Sequence, residues 1–501
     1  MKKLLSLILA LCMVLSLAAF AGAGAEGAKE ITYSLYSQPD GIDPGITNNS
    51  FASYVLANAF EGLMTYDTVT GSLTCGEAES YTVSEDGLVY TFTLRDGLKW
   101  SDGSDHTAAD YVYAIKRILD PATGAQYVDL VASYIAGAAD YYAGAITDFD
   151  SVGIKALDDR TLEITLVNAT SYFADILTMW TFSPVQEATI AANGDAWTAS
   201  PATYVCNGPF LVSDMKLGES ITLEKNPYYW NADAVKLSGL NFYLSEDNTA
   251  ILTAYENNTV QYIQSISSTE YDRLNATYPG ELEFYPTQGT YYILFNVYKD
   301  LSPASKQLTV QEQSKARFAL GQMINRYEVV NYITKGGEVA ATGFFPVGLA
   351  DGLNSDVRAV DYYGTWYANT NEYSEINPDL TVDQVEALQT LIDLGYPYTG
   401  TIEGGDITFT DFPSIEFAFN NSGNNALIIQ YIQEIWNRFG ITGTVNQEAW
   451  ATLQSKLKAG DAEAARMGWV ADFNDVVNFL EIFISASGNN YPRLGREIGF
   501  G

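Results

Sequence analysis

The feature that most constrains the fold is the mixture of short alternating segments and longer helical ones along the chain. Apolar and polar residues alternate in Ile31–Tyr36, Val89–Leu94 and Thr161–Val167, with the period of a strand that has one buried face. Helical spacing of apolar residues follows in a second group of segments, namely Phe51–Phe60, Ala108–Leu119, Lys315–Ile333, Thr381–Leu394 and Ala426–Phe439. Neither a sequence repeat nor a Pro-rich or Gly/Ser-rich linker separates them. The pattern therefore predicts mixed α and β lobes joined by short crossings within one compact body.

The ends of the helical segments carry capping residues. Thr107 or Asp110 is expected to cap the helix 108–119. Thr381 and Gln384 have the spacing of a capping box, and Gly440 is expected to end the segment 426–439.

Residues 1–25 predict export from the cytoplasm. A basic start is followed by the apolar run Leu4–Phe20 and by small residues from Ala21 to Ala25, as in a secretory signal peptide. The spacing leaves cleavage after Ala21, Ala23 or Ala25 open. Because Cys12 lies in the apolar run, the exported chain keeps Cys75 and Cys206, as one disulfide or as two unpaired buried thiols.

Charge and histidine content narrow the possible functions. The chain has 61 acidic and 26 basic residues and a formal net charge of −35, which disfavours nucleic acid and anionic membrane as partners. Its single histidine, His106, argues against metal sites built from several histidines. The motifs of serine hydrolases, zinc proteases and P-loop enzymes are absent from the sequence. A hydrolase that works through paired carboxylates stays open, because so many acidic residues make accidental pairs common.

Four stretches in a fixed order resemble a known family. They are Asp43-Pro44 with Phe60-Glu61-Gly62-Leu63; Ser84–Gly87 running into Tyr90–Ser104 and Thr107–Arg117; Asn207–Phe210 with Leu223–Asn231; and Gly468–Phe473 with Asn489-Asn490. Together they resemble the solute-binding proteins of oligopeptide and dipeptide ABC importers, extracellular solute-binding protein family 5. The resemblance runs from about Ile31 to Asn490.

The resemblance implies an α/β, bilobal fold like that of periplasmic binding proteins, with an extra third lobe and a ligand cleft between lobes. After the signal peptide 1–25, the implied lobes are lobe I (26–60 and 182–288), lobe II (61–181) and lobe III (289–501). Chains of the family continue past the match to Asn490. We therefore expect that the C-terminal part is missing here and that stability is reduced.

The function implied by the resemblance is capture of oligopeptides by lobe closure and delivery to a membrane permease. The protein is then a monomeric binding protein, with no enzymatic activity, cofactor, metal or nucleic-acid partner. Two alternatives are a secreted carboxylate-dependent hydrolase and a binding protein of the same family for another small solute. Lipid-anchored members carry a cysteine where Phe20 stands here. We therefore expect an extracytoplasmic protein, cell-surface associated, periplasmic or secreted, without a lipid-attachment motif.

The resemblance also implies ligand-binding residues. Asp472 matches an aspartate that binds the amino group of the ligand, Trp469 matches a wall of the cleft, and Arg466 matches an arginine whose charge lies in the ligand site. Without the resemblance, Asp472 reads as a cap for the helix predicted over Asn474–Phe483.

A second group of residues comes from the same resemblance. Asn48, Asn49 and Ser50 match a segment that pairs with the peptide backbone, and the alternative is a cap for the helix starting near Phe51. Three aromatic residues match ligand-facing positions, and the alternative for each is a place in the core: Trp450, Tyr113 and Tyr292. Asn489 is the last residue that the resemblance assigns to the ligand site.

Overall fold

The structure is a computed structural model that describes residues 29–351, 353, 354, 356–359, 372–485 and 487–495. The described residues form two compact units: those up to Gln264 with Asp472–Asn474, and those of Ser265–Ala471 with those from Asp475 onwards. The expected signal peptide lies outside the described residues, and the division into three lobes stays a prediction. No helix in the described part of the chain is long and apolar enough to cross a bilayer.

The first unit contains a five-stranded sheet of mixed direction. Its strands are β1 (Glu30–Leu35), β8 (Phe210–Lys216), β9 (Ser220–Lys225), β10 (Gly239–Leu244) and β11 (Tyr262–Ile263). Their order is β11-β1-β10-β9-β8. Strand β1 runs parallel to β10 and β11, while β10, β9 and β8 are antiparallel.

A second, antiparallel sheet lies in the middle of the same unit. Its strands are β4 (Ala78–Val83), β5 (Val89–Leu94), β6 (Ile154–Ala156) and β7 (Thr161–Thr165), in the order β4-β5-β7-β6. A two-stranded pair of β2 (Met64–Tyr66) and β3 (Leu73–Cys75) precedes it. Along β5 and β7 every second residue is buried, which confirms the alternation read from the sequence.

The helices of the first unit cover these sheets. They are α1 (Ser50–Ala59), α2 (Ala108–Ile118), α3 (Val128–Ala132), α4 (Ala138–Tyr142), α5 (Phe173–Ile176), α6 (Glu187–Asn193) and α7 (Asn248–Glu256). Helix α1 buries Val55 and Leu56 in the core cluster that also holds Leu35 and Phe242 of the five-stranded sheet. This packing positions the N-terminus of α1, where three predicted ligand-binding residues lie.

The second unit has its own sheet of four strands. These are β12 (Gly289–Phe295), β15 (Ile415–Asn420), β16 (Gly443–Glu448) and β17 (Ala464–Val470), in the order β12-β17-β15-β16. Strands β13 (Tyr398–Thr399) and β14 (Thr408–Phe409) form a separate pair. The helices are α8 (Tyr271–Thr277), α9 (Val310–Gln322), α10 (Arg326–Glu328), α11 (Val382–Leu394), α12 (Asn425–Arg438), α13 (Trp450–Ala459) and α14 (Val477–Leu480).

One predicted helix is wrong in its extent. The segment Lys315–Ile333 is divided: α9 ends at Gln322, and α10 starts anew after Asn325 and runs into a π-helical turn, Val329–Thr334. The side chain of Asn325 accepts a hydrogen bond from the Glu328 N–H at 3.1 Å and so caps a new helix start. An asparagine that bonds to nearby backbone in this way competes with a continuous helix.

The two cysteines of the expected exported chain are both free thiols. Burial raises the pKa of the Cys206 thiol to about 12. Of the two alternatives left open by the sequence, the structure has the unpaired thiols.

Candidate functional site

The loop that precedes helix α1 is held in place by a buried ion pair between Asp43 and Arg117. The carboxylate of Asp43 accepts hydrogen bonds from both terminal nitrogens of Arg117, at 2.9 and 2.7 Å. The Trp197 Nε1–H at 2.8 Å and the Gly45 N–H at 2.9 Å complete its set of donors. Such a bidentate pair with further donors holds a loop in one geometry. The Asp43-Pro44 motif is therefore scaffold for the residues after it.

Those residues, 47–50, lead into helix α1. Asn49 is only 1% exposed, and its side-chain oxygen accepts hydrogen bonds from the N–H groups of Phe51, at 2.8 Å, and Ala52, at 3.2 Å. It is the N-cap of α1, in line with the alternative reading from the sequence. Asn48 is half-buried and Ser50 is exposed.

Two aromatic residues connect this segment with Asp472. The Trp180 Nε1–H donates to the backbone oxygen of Thr47 at 2.9 Å, and the Trp180 ring meets the Tyr127 ring edge-on with centroids 5.8 Å apart. The Tyr127 hydroxyl in turn donates to the half-buried Asp472 carboxylate, at 3.3 Å to Oδ2 and 3.5 Å to Oδ1. The structure thus places Asp472 and the segment 47–50 in one cluster of the first unit.

Sequence reasoning missed Trp180 and Tyr127. The Tyr127–Asp472 contact joins residues 345 positions apart, and the Trp180–Thr47 contact joins residues 133 apart. Nothing in the local pattern distinguishes either ring from a core aromatic, so only the fold identifies them.

The chain after Asp472 is fixed by packing and by a second aspartate. Phe473 is 1% exposed and stacks on Tyr172, with centroids 5.6 Å apart and planes 8° from parallel. The Asp475 carboxylate accepts from the Val477 N–H at 2.9 Å, where helix α14 begins. The helix predicted over 474–483 is therefore shorter, with α14 followed by a 3-10 turn at Glu481–Phe483.

Tyr113 lies on helix α2 in the first unit. It is half-buried and packs against the core cluster of the five-stranded sheet. Burial raises the pKa of its hydroxyl.

In the second unit, the register of β12 and β17 divides the predicted residues between two faces of the sheet. Thr290 pairs with Trp469, Tyr292 with Met467, and Ile293 with Arg466. Paired residues share a face and successive residues alternate. Trp469 and Tyr292 therefore lie on one face of the sheet, and Arg466 lies on the other.

Packing is dense around Trp469 and Tyr292. The Trp469 Nε1–H donates to the Asn478 side-chain oxygen at 3.0 Å. The Tyr292 ring lies 5.1 Å from the ring of Phe344, edge to face. Trp450, the first residue of α13, packs with Tyr292 against the small core cluster of this face.

Arg466 lies in a different environment. Its guanidinium carbon is 4.1 Å from the centroid of the Tyr291 ring, and burial lowers its pKa. Within the described ranges its Nε atom has no hydrogen-bond partner, and its guanidinium makes no ion pair with a carboxylate. It is a half-buried cation held by an aromatic face.

Asn489 is 7% exposed and is tied down through its backbone. Its N–H donates to the Ser487 hydroxyl at 3.2 Å, and its carbonyl oxygen accepts from the Tyr491 N–H at 2.8 Å. It belongs to the turn 487–490, beyond the 3-10 turn Glu481–Phe483.

The single histidine is part of the scaffold. His106 lies between the carboxylates of Glu77 and Asp110, with its Nε2 2.7 Å from Glu77 Oε2 and its Nδ1 2.8 Å from Asp110 Oδ2. Burial alone would lower its pKa, but Glu77 and Asp110 outweigh this effect and raise the pKa to about 9. Among the described residues no group of three or more His, Cys, Asp and Glu side chains could hold a metal ion.

Comparisons with known proteins identify the family of this chain. The family model described as bacterial extracellular solute-binding proteins, family 5 Middle, matches residues 74–491. The oligopeptide-binding protein OppA of Bacillus subtilis (strain 168) is 30% identical over 98% of this chain and 86% of its own length.

Solved structures show the same fold. A periplasmic oligopeptide-binding protein of Borrelia burgdorferi, OppAIV, has a TM-score of 0.78 at 27% identity and covers 93% of this chain and 84% of its own. Listeria monocytogenes OppA bound to peptide has a TM-score of 0.76 at 25% identity, over 93% of this chain and 86% of its own. The predicted α/β fold of periplasmic binding proteins is confirmed.

Proposed function

Because this chain belongs to family 5 of the bacterial extracellular solute-binding proteins, we propose that it binds oligopeptides outside the cytoplasm and delivers them to the permease of an ABC importer. The Bacillus subtilis relative is an oligopeptide-binding protein, and the Listeria monocytogenes structure contains a bound peptide. The observation that carries the proposal is the cluster of Asp472, Tyr127, Trp180 and Thr47 in the first unit.

Asp472 is the group that binds the peptide amine. Its carboxylate is half-buried, and the Tyr127 hydroxyl is a weak donor to it at 3.3 to 3.5 Å. A carboxylate has about four acceptor positions, so an ammonium group can bind alongside that hydroxyl. A charge-assisted bond from an ammonium group is roughly twice as strong as a neutral one.

Segment 47–50 binds the peptide backbone. Trp180 holds Thr47 through the carbonyl oxygen, and Asn49 is held by the N-terminus of α1. The segment is therefore ordered before a ligand arrives, and this lowers the entropy cost of pairing with an extended peptide. Asn48 and the exposed Ser50 contribute to the same pairing, and the ring of Tyr113 faces ligand side chains.

The remaining predicted residues lie in the second unit. Arg466 binds an anionic group of the peptide, while Trp469, Trp450, Tyr292 and Asn489 surround its side chains. Since a protein that accepts many sequences recognises the charged ends and the backbone, aromatic walls can serve varied side chains. Closure of the lobes on the ligand stays a prediction from the sequence.

The protein acts outside the cytoplasm after removal of a signal peptide from residues 1–25. Residue 20 is phenylalanine, so no lipid is attached at the position where lipid-anchored relatives carry cysteine. Binding does not change the peptide covalently. A carboxylate-dependent hydrolase would instead release shorter products, which mass spectrometry of the recovered peptide detects.

The test is calorimetry with alanine peptides of two to five residues, each with a free and an acetylated N-terminus. We expect Asp472→Asn to weaken binding of the free-amine peptide by about tenfold or more, and to leave the acetylated peptide unchanged. Asp96→Asn, at a surface carboxylate with 90% of its side chain exposed, is the control and keeps the wild-type affinity. Equal affinity of wild type and Asp472→Asn for the free-amine peptides would contradict the role of Asp472.

A further inference from the structure

Asp472 belongs to a segment of only three residues. Asp472–Asn474 is part of the first unit, whereas the chain on either side of it belongs to the second unit. The segment lies in neither a helix nor a strand. Since no helix or sheet ladder fixes it, the packing of its side chains has a large part in where the Asp472 carboxylate lies.

The ring of Phe473 packs this segment into the first unit. It is 1% exposed and lies parallel to the Tyr172 ring, with centroids 5.6 Å apart and planes 8° from parallel. Tyr172 directly precedes helix α5, whose first residue, Phe173, is fully buried. Phe473 therefore stacks on a ring whose backbone is fixed by a packed helix start.

The contacts of Phe473 and Asp472 lead to the same short helix, α3. Tyr127 is the N-cap of α3, and its hydroxyl donates to Asp472. Tyr134 follows the end of α3, and its ring meets the Tyr172 ring edge-on with centroids 6.2 Å apart. Backbone hydrogen bonds tie both tyrosines to α3. The contacts thus form a closed cycle from Asp472 through Phe473, Tyr172, Tyr134 and Tyr127 back to Asp472.

In a closed cycle of contacts the position of each member depends on the others. Loss of the stack would let the segment occupy other positions, and only a fraction of the molecules would then present Asp472 at Tyr127. A ligand that uses Asp472 binds more weakly in proportion to that fraction. The stabilisation by an aromatic pair corresponds to a change in population of about two- to tenfold.

We propose that Phe473 is a positioning residue: by stacking on Tyr172, it holds the carboxylate of Asp472 at Tyr127, ready for the amine of a peptide. The inference rests on the proposed peptide-binding function and adds to it the packing that supports a preference for a free N-terminus. Because Phe473 is buried, it acts through Asp472 rather than by touching the ligand.

The experiment uses calorimetry with alanine peptides of two to five residues, each with a free and an acetylated N-terminus. The quantity measured is the ratio of the two dissociation constants for the length that binds most tightly, and wild type is expected to prefer the free amine. Phe473→Leu and Tyr172→Leu each reduce this preference by about two- to tenfold. Tyr172→Phe, which keeps the ring, retains it.

The double variant Phe473→Leu/Tyr172→Leu is expected to lose no more preference than either single variant, since both changes remove the same contact. Phe149→Leu is the matched control. It removes an edge-on ring pair with Tyr141 elsewhere in the first unit, with centroids 5.3 Å apart, and keeps the wild-type preference. If Phe473→Leu does not fold, the comparison of Tyr172→Leu with Tyr172→Phe decides alone.

The outcomes separate the inference from the proposed function. Full preference in both Phe473→Leu and Tyr172→Leu would overturn the inference and leave peptide binding intact. An equal loss of affinity for free and acetylated peptides would also overturn it, since a merely structural residue affects both alike. A wild type that binds both forms equally would overturn the inference together with the role of Asp472, while peptide binding stands. A wild type that binds none of the peptides would overturn the proposed function and with it the inference.

Discussion

The buried imidazole of His106 makes the stability of the first unit depend on pH in a defined direction. Both ring nitrogens face carboxylate oxygens, at 2.7 Å from Glu77 and 2.8 Å from Asp110. A neutral imidazole has a single N–H, so only the protonated ring can donate to both acceptors. The side chain is 0% exposed, which means that water cannot replace either bond.

The difference between the folded and the unfolded pKa of His106 determines how much its protonation stabilises the fold. The folded pKa is about 9 and the ordinary value is 6.5, so the protonated form is favoured by about 3 kcal/mol in the folded state, at 1.36 kcal/mol per pH unit. Because the folded pKa is raised, this stabilisation is fully present below pH 6.5. It is lost as the pH rises towards about 9.

Glu61 adds to the pH dependence in a lower range. Burial raises its pKa to about 7, so its stabilising contribution is lost between its ordinary value of 4.5 and about 7. Measurements between pH 7.5 and 9 therefore report mainly on His106, because the contribution of Cys206, whose pKa burial raises from 9.0 to about 12, is lost only above about pH 9.

Two measurements check the prediction. Because His106 is the single histidine, its ring proton resonance can be assigned in an NMR titration without ambiguity. Urea unfolding, followed by the fluorescence of the eight tryptophans, gives the free energy of unfolding. Glu77→Gln should lower the pKa of His106 and flatten the stability profile at alkaline pH. A His106 pKa at or below 6.5, or a wild-type stability that is constant from pH 7.5 to 9, would refute the reasoning.

Two further predictions concern the loop that carries the candidate site. Asp43→Asn leaves the largely buried Arg117 without a counter-charge and should cost about 3–5 kcal/mol of unfolding free energy in urea. Asp105→Asn, in the exposed pair with Lys99, should change it by less than about 1 kcal/mol, and equal losses in both variants would contradict the assignment of Asp43 as an anchor. Asn49→Ala should cost about 1 kcal/mol by removing the cap of α1, whereas Asn49→Ser should retain most of that stability. An Asn49→Ala midpoint equal to wild type would show that the cap contributes nothing.

Features set by neighbouring residues could be predicted from the sequence. Thr381 with Gln384 forms the expected capping box, because it needs only residues three positions apart. Of the two expected caps of α2, Thr107 is the N-cap, and its N–H donates to the Asp110 carboxylate. Gly440, with φ of 77°, follows α12 as its spacing indicated. The break within Lys315–Ile333 was not predicted, since the apolar periodicity continues through it while a single side chain, Asn325, ends it.

The candidate site depended more on contacts distant in sequence. Asn49 was identified with two possible roles, and the structure gives it the role of helix cap. Tyr127 and Trp180 were missed because their partners lie 345 and 133 residues away. Trp469 and Arg466 lie on opposite faces of the sheet because side chains alternate along a strand. This could be predicted only after β17 had been identified as a strand.

The environment of Arg466 is unusual for a chain with so many acidic residues. With 61 acidic residues against 26 basic ones, a buried cation has many carboxylates available, and the largely buried Arg117 does pair with one of them. Pairing a half-buried arginine in the same way would offset its desolvation cost. Among the described residues Arg466 instead has an aromatic ring, which offsets less of that cost. Arg317 on α9 is a second half-buried arginine with a buried, unbonded nitrogen in the described part of the chain, so the lack of a carboxylate partner does not by itself identify a ligand site.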